Sequence, residues 1–212
     1  LIIGLSGFNG FDSLIKSLFS SFDPELRITI REGKSFSTAG QPFDELRKMP
    51  DVAYYAEIVE DNALLSYKDK QITATIKGVS EDYVKFSGID SMITLGEFRL
   101  KDSVSNYAVL GEVIAYNLTA GVRQMEPISV YVPKKGRESA LLPTGNFIQK
   151  LIYPSGIFSI QQELDAKYVI VPIGFAREIF EMQDKVSAIE LKLKEGVSDK
   201  QAKKAISALL GT

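Results

Sequence analysis

The most constraining stretch of this 212-residue chain is a pair of β-rich runs, VAYYAEIVEDNALLSY from Val52 and QITATIKGV from Gln71, separated only by Lys68-Asp69-Lys70. β-Branched and aromatic side chains suit a pleated, half-buried surface, and a short polar break between two such runs turns the chain back on itself. A long hairpin is therefore predicted.

Both flanks of this hairpin carry simpler patterns. Leu26, Ile28 and Ile30 alternate with Arg27, Thr29 and Arg31, the period of a half-buried strand. Near the end, Ile189, Leu191 and Leu193 alternate with Glu190, Lys192 and Lys194 in the same way. Ser198 through Gln201 then fits a capping box, with Val197 as a hydrophobic staple onto Ala202. Ala202, Ala205, Ile206, Leu209 and Leu210 form the buried stripe of the helix that follows, and Gly211 suits its left-handed close.

Between these ends a short helix is predicted at Phe43 to Lys48, after Gly40 and Pro42, and SEDYVKFSGID reads as a connection. VLGEVIAYNLTAGV reads as a strand end followed by a short helix, and ISVYVP from Ile128 as a strand closed by Pro133. GIFSI and YVIVP are further strands, with GFAREIFEM a short helix after the second. At the front, Phe8, Phe11, Leu14, Ile15, Leu18, Phe19 and Phe22 recur at threes and fours, a helical face that ends at Asp23-Pro24. The expected fold class is α+β, with an early βαββ pattern and a final βα unit of one kind, and residues 95–185 inserted as a block of short strands.

Composition excludes more chemistry than it suggests. The chain has no His, Cys or Trp, so zinc sites built on His and Cys, a Ser-His-Asp triad, a Cys nucleophile and a thiol redox pair are all ruled out. Lys plus Arg number 25 against 27 for Asp plus Glu, and a net charge of −2 gives no footprint for nucleic acid. No run reaches the roughly 18 to 20 apolar residues of a membrane span, so the chain as it stands is expected to be soluble.

The motifs that could carry catalysis lack their partners. Ser13-Leu-Ile-Lys16 matches the S-x-x-K pattern of penicillin-binding enzymes, yet S-D-N and K-T-G do not occur, and both residues fit the polar side of the helix. Gly4-Leu-Ser-Gly7 falls one residue short of a nucleophile elbow, with no histidine to serve it. Gly4, Gly7 and Gly10 recur every three residues, which suits either close helix contact or a flexible approach to the helix at Phe11. No phosphate-binding glycine motif is present, so ATP chemistry would sit on another chain. Glu60-Asp61 and Glu81-Asp82 are adjacent acids that do not share a face, most simply solvated pairs. No catalytic or metal-ligating residue and no cofactor is therefore nominated.

One segment asks for a partner. PKKGRESALLPTGNF, residues 133–147, is basic in its first half, while Leu141, Leu142, Pro143 and Phe147 lie where Pro and Gly forbid regular structure. Apolar side chains on a loop either contact another macromolecule or tuck into the core.

Together GLSGFNGFDSLIKSLF, LRITIREG, VLGEVIAYNLTAGV with ISVYVP, and KYVIVPIGFAREIF with VSAIELKLKEGVSDKQAKKAISALLG resemble the periplasmic core domain of MacB-type ABC transporter permeases, within the FtsX-like permease family. The nearest relatives appear, by the same motifs, among the lipoprotein-releasing permeases LolC and LolE. The resemblance implies a two-part periplasmic core, with a Porter-like part at 24–94 and 186–212 and a Sabre-like part at 95–185. It implies residues 1–23 as a membrane-proximal helix following a first transmembrane helix, with Phe8, Phe11, Leu14, Ile15 and Leu18 on its apolar face. Leu1 to Phe8 would then be a membrane-proximal lever, frayed here or packed against a neighbour in place of lipid.

The resemblance further implies a bacterial inner-membrane protein whose periplasmic domain transmits motion rather than catalysing. Its partners would be a second permease subunit, a cytoplasmic ATPase subunit and the membrane, through transmembrane helices outside this stretch. A Hook-like loop at 134–147, with Arg137, Leu141, Leu142, Pro143 and Phe147, would bind a periplasmic lipoprotein carrier of the LolA kind. The alternatives are MacB-type peptide or drug efflux, FtsX-like control of cell-wall hydrolases, and a free-standing soluble binding module or hydrolase.

Overall fold

A computed structural model describes residues 2–5, 24–80, 83–123, 126–134 and 147–211. In chain order the elements are β1 (Ile2–Leu5), β2 (Leu26–Thr29), β3 (Phe36–Ser37), α1 (Gln41–Arg47), β4 (Val52–Tyr67), β5 (Lys70–Val79), α2 (Tyr83–Ser87), a 3-10 turn (Ile89–Met92) and β6 (Ile93–Gly96). They continue with β7 (Tyr107–Gly111), α3 (Glu112–Leu118), β8 (Ile128–Pro133), β9 (Phe147–Phe158), α4 (Gln162–Asp165), β10 (Tyr168–Pro172), α5 (Ile173–Ile179), β11 (Lys185–Val186), β12 (Ala188–Leu193) and α6 (Asp199–Leu210). The class is α+β.

The long hairpin forms as β4 and β5, turned by Lys68-Asp69 with Lys68 in the left-handed region at φ 53°. Its burial pattern explains why VAYYAEIVEDNALLSY does not alternate cleanly. Buried positions are even at Ala56 and Ile58, then odd at Val59, Ala63, Leu65 and Tyr67. That change of face coincides with a division of the chain into two compact units, Leu1–Val59 with Ser80–Ile89 and Asp184–Thr212, and Glu60–Val79 with Asp90–Gln183. The sequence boundaries at 94 and 186 place the whole hairpin in the first part. Here residues 60–79 join the second unit, because β5 pairs in parallel with β10 from Tyr168↔Thr75 to Pro172↔Val79.

In the first unit β12 sits between β2 and the first half of β4, antiparallel to both. Ile28 pairs with Ile189 and Leu26 with Leu191, so the two alternating runs place their apolar residues on one face. Phe43 and Leu46 of α1, and Ala202 and Ile206 of α6, cover that face. Val197, Leu209 and Leu210 pack on its margin. On β12 the intervening Glu190 is also buried, and its Oε1 accepts from Arg27 Nη1 at 3.0 Å across the β2 pairing. Thr38 Oγ1 and Arg47 Nη2 each donate to Glu57 Oε1 at 2.7 Å, which ties α1 to β4.

Three expectations are corrected in this unit. Ile2–Leu5 is a strand, antiparallel to β2 from Ile2↔Thr29 to Leu5↔Leu26, where the membrane-proximal helix was expected to begin. The physical reason is the free edge of β2, whose backbone groups a strand satisfies and a helix cannot. The rest of that helix, with Phe8, Phe11, Leu14, Ile15 and Leu18, lies outside the described residues. The capping box makes no side-chain bond: Ser198 caps α6 through its carbonyl, which accepts from the Ala202 N–H at 2.9 Å. Ala205 is exposed, since the buried stripe centres on Ala202 and Ile206 and Ala205 lies about 100° round from Ile206. Gly211 does close α6, at φ 70°.

The second unit is a mixed sheet in the order β5-β10-β7-β9-β6, with β8 antiparallel to both β9 and the far end of β4. β7 and β10 are buried along their whole length, as strands covered on both faces are. Ile114, Ala115 and Leu118 of α3, and Phe175, Ala176 and Ile179 of α5, are the buried helical residues. Between β7 and α3, Gly111 approaches α4 so closely that a Cβ there would lie 2.2 Å from the Asp165 carbonyl oxygen. The Asp165 carboxylate, itself buried, accepts from the Ile160 N–H at 2.9 Å and lies 3.0 Å from the Ser159 hydroxyl. Before β7, Asp102 accepts from the N–H groups of Val104 and Ser105 and from the Tyr107 hydroxyl, the last at 2.7 Å. Those bonds hold its carboxyl well below the ordinary range, at about 2, with the Tyr107 bond the largest cause.

The segment read from sequence as a connection, 80–90, contains α2 and the start of the 3-10 turn. Burial of Tyr83 and Ile89 folds it locally despite its polar composition. GIFSI is only the final part of a longer strand, β9, whose first half carries apolar residues on both faces and so lacks alternation.

Candidate partner-contact surface

The segment singled out from sequence is held by a well-defined stem. β8 and β9 pair antiparallel from Ile128↔Ile152 to Pro133↔Phe147, so residues 134–146 are the connection of a hairpin whose ends are fixed opposite one another. Pro133 ends the stem where a missing N–H costs no ladder bond.

Alternation along the stem separates two faces. Ile128, Val130 and Val132 of β8 and Ile152 of β9 are buried. On the same parity of β9, Lys150 forms an ion pair with Glu178 of α5, which fastens the stem to the helix over this face. The other parity of β9 is open: Phe147 is 52% exposed and Leu151 55% exposed. Across the ladder Ser129 faces Leu151, Tyr131 faces Gln149, and Leu64 of β4 faces Tyr131. Leu64 is exposed as well, and Gln149 Nε2 donates to Ser129 Oγ at 3.3 Å. The outward face of this three-stranded patch thus alternates Leu and aromatic side chains with small polar ones. Such a face removes apolar surface from water only when something covers it.

Of the residues nominated in the loop, Phe147 is placed at the first position of β9, exposed, and Lys134 is exposed beside Pro133. Arg137, Leu141, Leu142 and Pro143 lie outside the described residues. Leu64, Tyr131 and Leu151 were not nominated. The signal available for Leu151 was the alternation Phe147, Gln149, Leu151, obscured by Ile148 and Ile152 on the opposite face.

The acidic pairs do not assemble a reacting centre. Glu60 and Asp61 are consecutive on β4 and so point to opposite faces. Among the described residues no three Asp or Glu side chains cluster as metal ligands do. Nor, among them, is any helix long and apolar enough to cross a membrane.

The family model for the MacB-like periplasmic core domain matches residues 1–209. This chain belongs to that family. MacB-like periplasmic core domains are extracytoplasmic parts of ABC transporter permeases, and the domain is not itself an enzyme. Solved structures agree in fold. The periplasmic region of MacB from Actinobacillus actinomycetemcomitans superimposes with a TM-score of 0.55 at 15% identity, over 83% of this chain and 80% of that one. The extracellular domain of the noncanonic ABC-type transporter YknZ from Gram-positive bacteria gives 0.55 at 11% identity, over 85% and 87%. For a MacB-like domain the informative surfaces are those left open for other proteins, and the β4-β8-β9 face is one.

Proposed function

We propose that this domain belongs to a permease of the lipoprotein-releasing type, close to LolC and LolE, and passes motion between a cytoplasmic ATPase subunit and periplasmic partners in an inner-membrane complex with a second permease subunit. The first unit would be the Porter-like part and the second the Sabre-like part. Residues 134–147 would act as the Hook-like loop that recruits a LolA-like carrier. The observation that carries this reading is the β8-β9 stem, which fixes both ends of an apolar, basic connection and continues it into the exposed Phe147 and Leu151. A rigid stem lowers the ordering cost of presenting a loop to a partner.

A pull-down against a LolA-like carrier tests the assignment, comparing the intact domain with one carrying Leu141→Ser, Leu142→Ser and Phe147→Ser. Loss of capture by the triple variant is expected. Equal capture by both proteins, or by neither, removes the Hook assignment. A second reading, peptide or drug efflux, is supported by the fold similarity to the periplasmic region of MacB. It gains if carrier capture fails while a full-length protein with its own ATPase exports such compounds.

A further inference from the structure

We propose that the outer edge of β6 and the groove beside it form a docking site for an extended peptide segment of a partner protein, one with an apolar side chain next to an acidic one. β6 is the last strand of the second unit's sheet and pairs with β9 along one edge; among the described residues nothing pairs with the other. Thr94, Leu95 and Gly96 are all exposed. An edge strand leaves alternate backbone N–H and C=O groups without a ladder partner, and an extended chain is the chemistry that satisfies a row of them.

The register is irregular between Ile93↔Phe158 and Leu95↔Ile157, so Thr94 is the additional residue of a bulge. Its hydroxyl donates to the Ile157 carbonyl at 3.3 Å. Bulges re-aim side chains next to functional surfaces. Here the consequence is a Leu95 that is 42% exposed and lines a groove of about 750 Å³ with Ile157 of β9 and Ala115 and Tyr116 of α3. That size and mixture of apolar wall and polar rim are those of a ligand cleft rather than a packing defect.

Tyr116 supplies a second reason. α3 buries Ile114, Ala115 and Leu118, while Tyr116 is 83% exposed on the groove, a large aromatic that the fold itself does not use. Exposed tyrosines serve as interface anchors, since the ring is covered and the hydroxyl can stay wet.

Charge selects the occupant further. Glu112 and Lys70 both line the groove. Glu112 already lies 2.9 Å from the Ser159 hydroxyl, whereas among the described residues Lys70 has no ion-pair partner. The unbalanced charge is therefore the lysine, and an acidic side chain on the incoming strand complements it. The four residues of β6 offer a paired length of about 13 Å, enough for a short strand.

The test uses the 212-residue chain and a displayed library of random heptapeptides, followed by hydrogen exchange with the selected peptides. Enrichment of peptides with an aliphatic or aromatic residue beside Asp or Glu is expected, with slowed exchange of the 93–96 amides. N-methylation of alternate peptide nitrogens should weaken binding at least tenfold, because it removes ladder donors without changing side chains. Tyr116→Ser with Leu95→Ser, both exposed in the free domain, should weaken binding at least tenfold, and Lys70→Glu should abolish the acidic preference. No enrichment, equal binding of N-methylated peptides, or protection outside β6 overturns the proposal. So does concentration-dependent protection of β6 without peptide, which would assign the edge to a second copy of the chain. None of these readouts uses residues 134–147, so they are independent of carrier binding.

Discussion

Replacing Gly111 by alanine should be among the most damaging small substitutions in the second unit. The backbone at Gly111, φ −64° and ψ 145°, is open to any residue, so the effect is one of packing alone. The added Cβ would lie 2.2 Å from the Asp165 carbonyl oxygen and 2.7 Å from its C and Cα atoms. Ordinary contact requires a displacement of about 1 Å between α4 and the end of β7. Overpacking of this kind costs about 1–3 kcal/mol. The same displacement pulls the buried Asp165 carboxylate from the Ile160 N–H at 2.9 Å, and losing a hydrogen bond to a charged group costs about 1.5–3 kcal/mol.

A total near 4 kcal/mol should move a urea midpoint by about 1–2 M, given slopes of about 2–3 kcal/mol/M for chains of this size. Gly174→Ala is the matched control. Gly174 lies in α5, is exposed, and has nothing within 4 Å of an added Cβ, so alanine should stabilise by up to about 1 kcal/mol. Circular dichroism melts in urea measure both. If Gly111→Ala shifts the midpoint by less than about 0.3 M, the close approach is not an energetic constraint and the reasoning fails.

Three further outcomes are expected. Arg27→Met leaves the buried Glu190 carboxylate without that partner and should cost about 2 kcal/mol in the same assay, less than a fully buried pair because Arg27 is partly exposed; a change under about 0.5 kcal/mol would contradict it. Asp102, held at about 2, lies below its ordinary value, so its contribution is full above about 4 and is lost as pH falls through 2; the Val104 and Ser105 amide resonances should move over that range, and a transition centred near 4 would refute the bonded loop. Ile206→Ala opens a cavity between α6 and the β2-β12 face and should cost about 3 kcal/mol, whereas exposed Ala205→Ser should stay within about 0.5 kcal/mol.

The sequence by itself determined the elements whose period was unmixed: β2, β12 and α6, where one face meets a core and the other meets solvent. It determined the hairpin, because two β-rich runs with a two-residue turn have no other way to pair, and it excluded His- and Cys-based chemistry outright. Family membership was also legible in the order of many weak motifs. Strands apolar on both faces were not. The first half of β9 and the change of buried face at Ile58 and Val59 depend on what packs against each side, and a one-dimensional pattern sums the two sides. β1 was read as helix because the edge it satisfies, on β2, is distant in sequence. For the same reason only the tertiary structure placed Leu64, Tyr131 and Leu151 on one face with Phe147, and Leu95 beside Tyr116. Surface patches are made of residues brought together from separate strands, and their exposure is a property of the assembled fold rather than of any one segment.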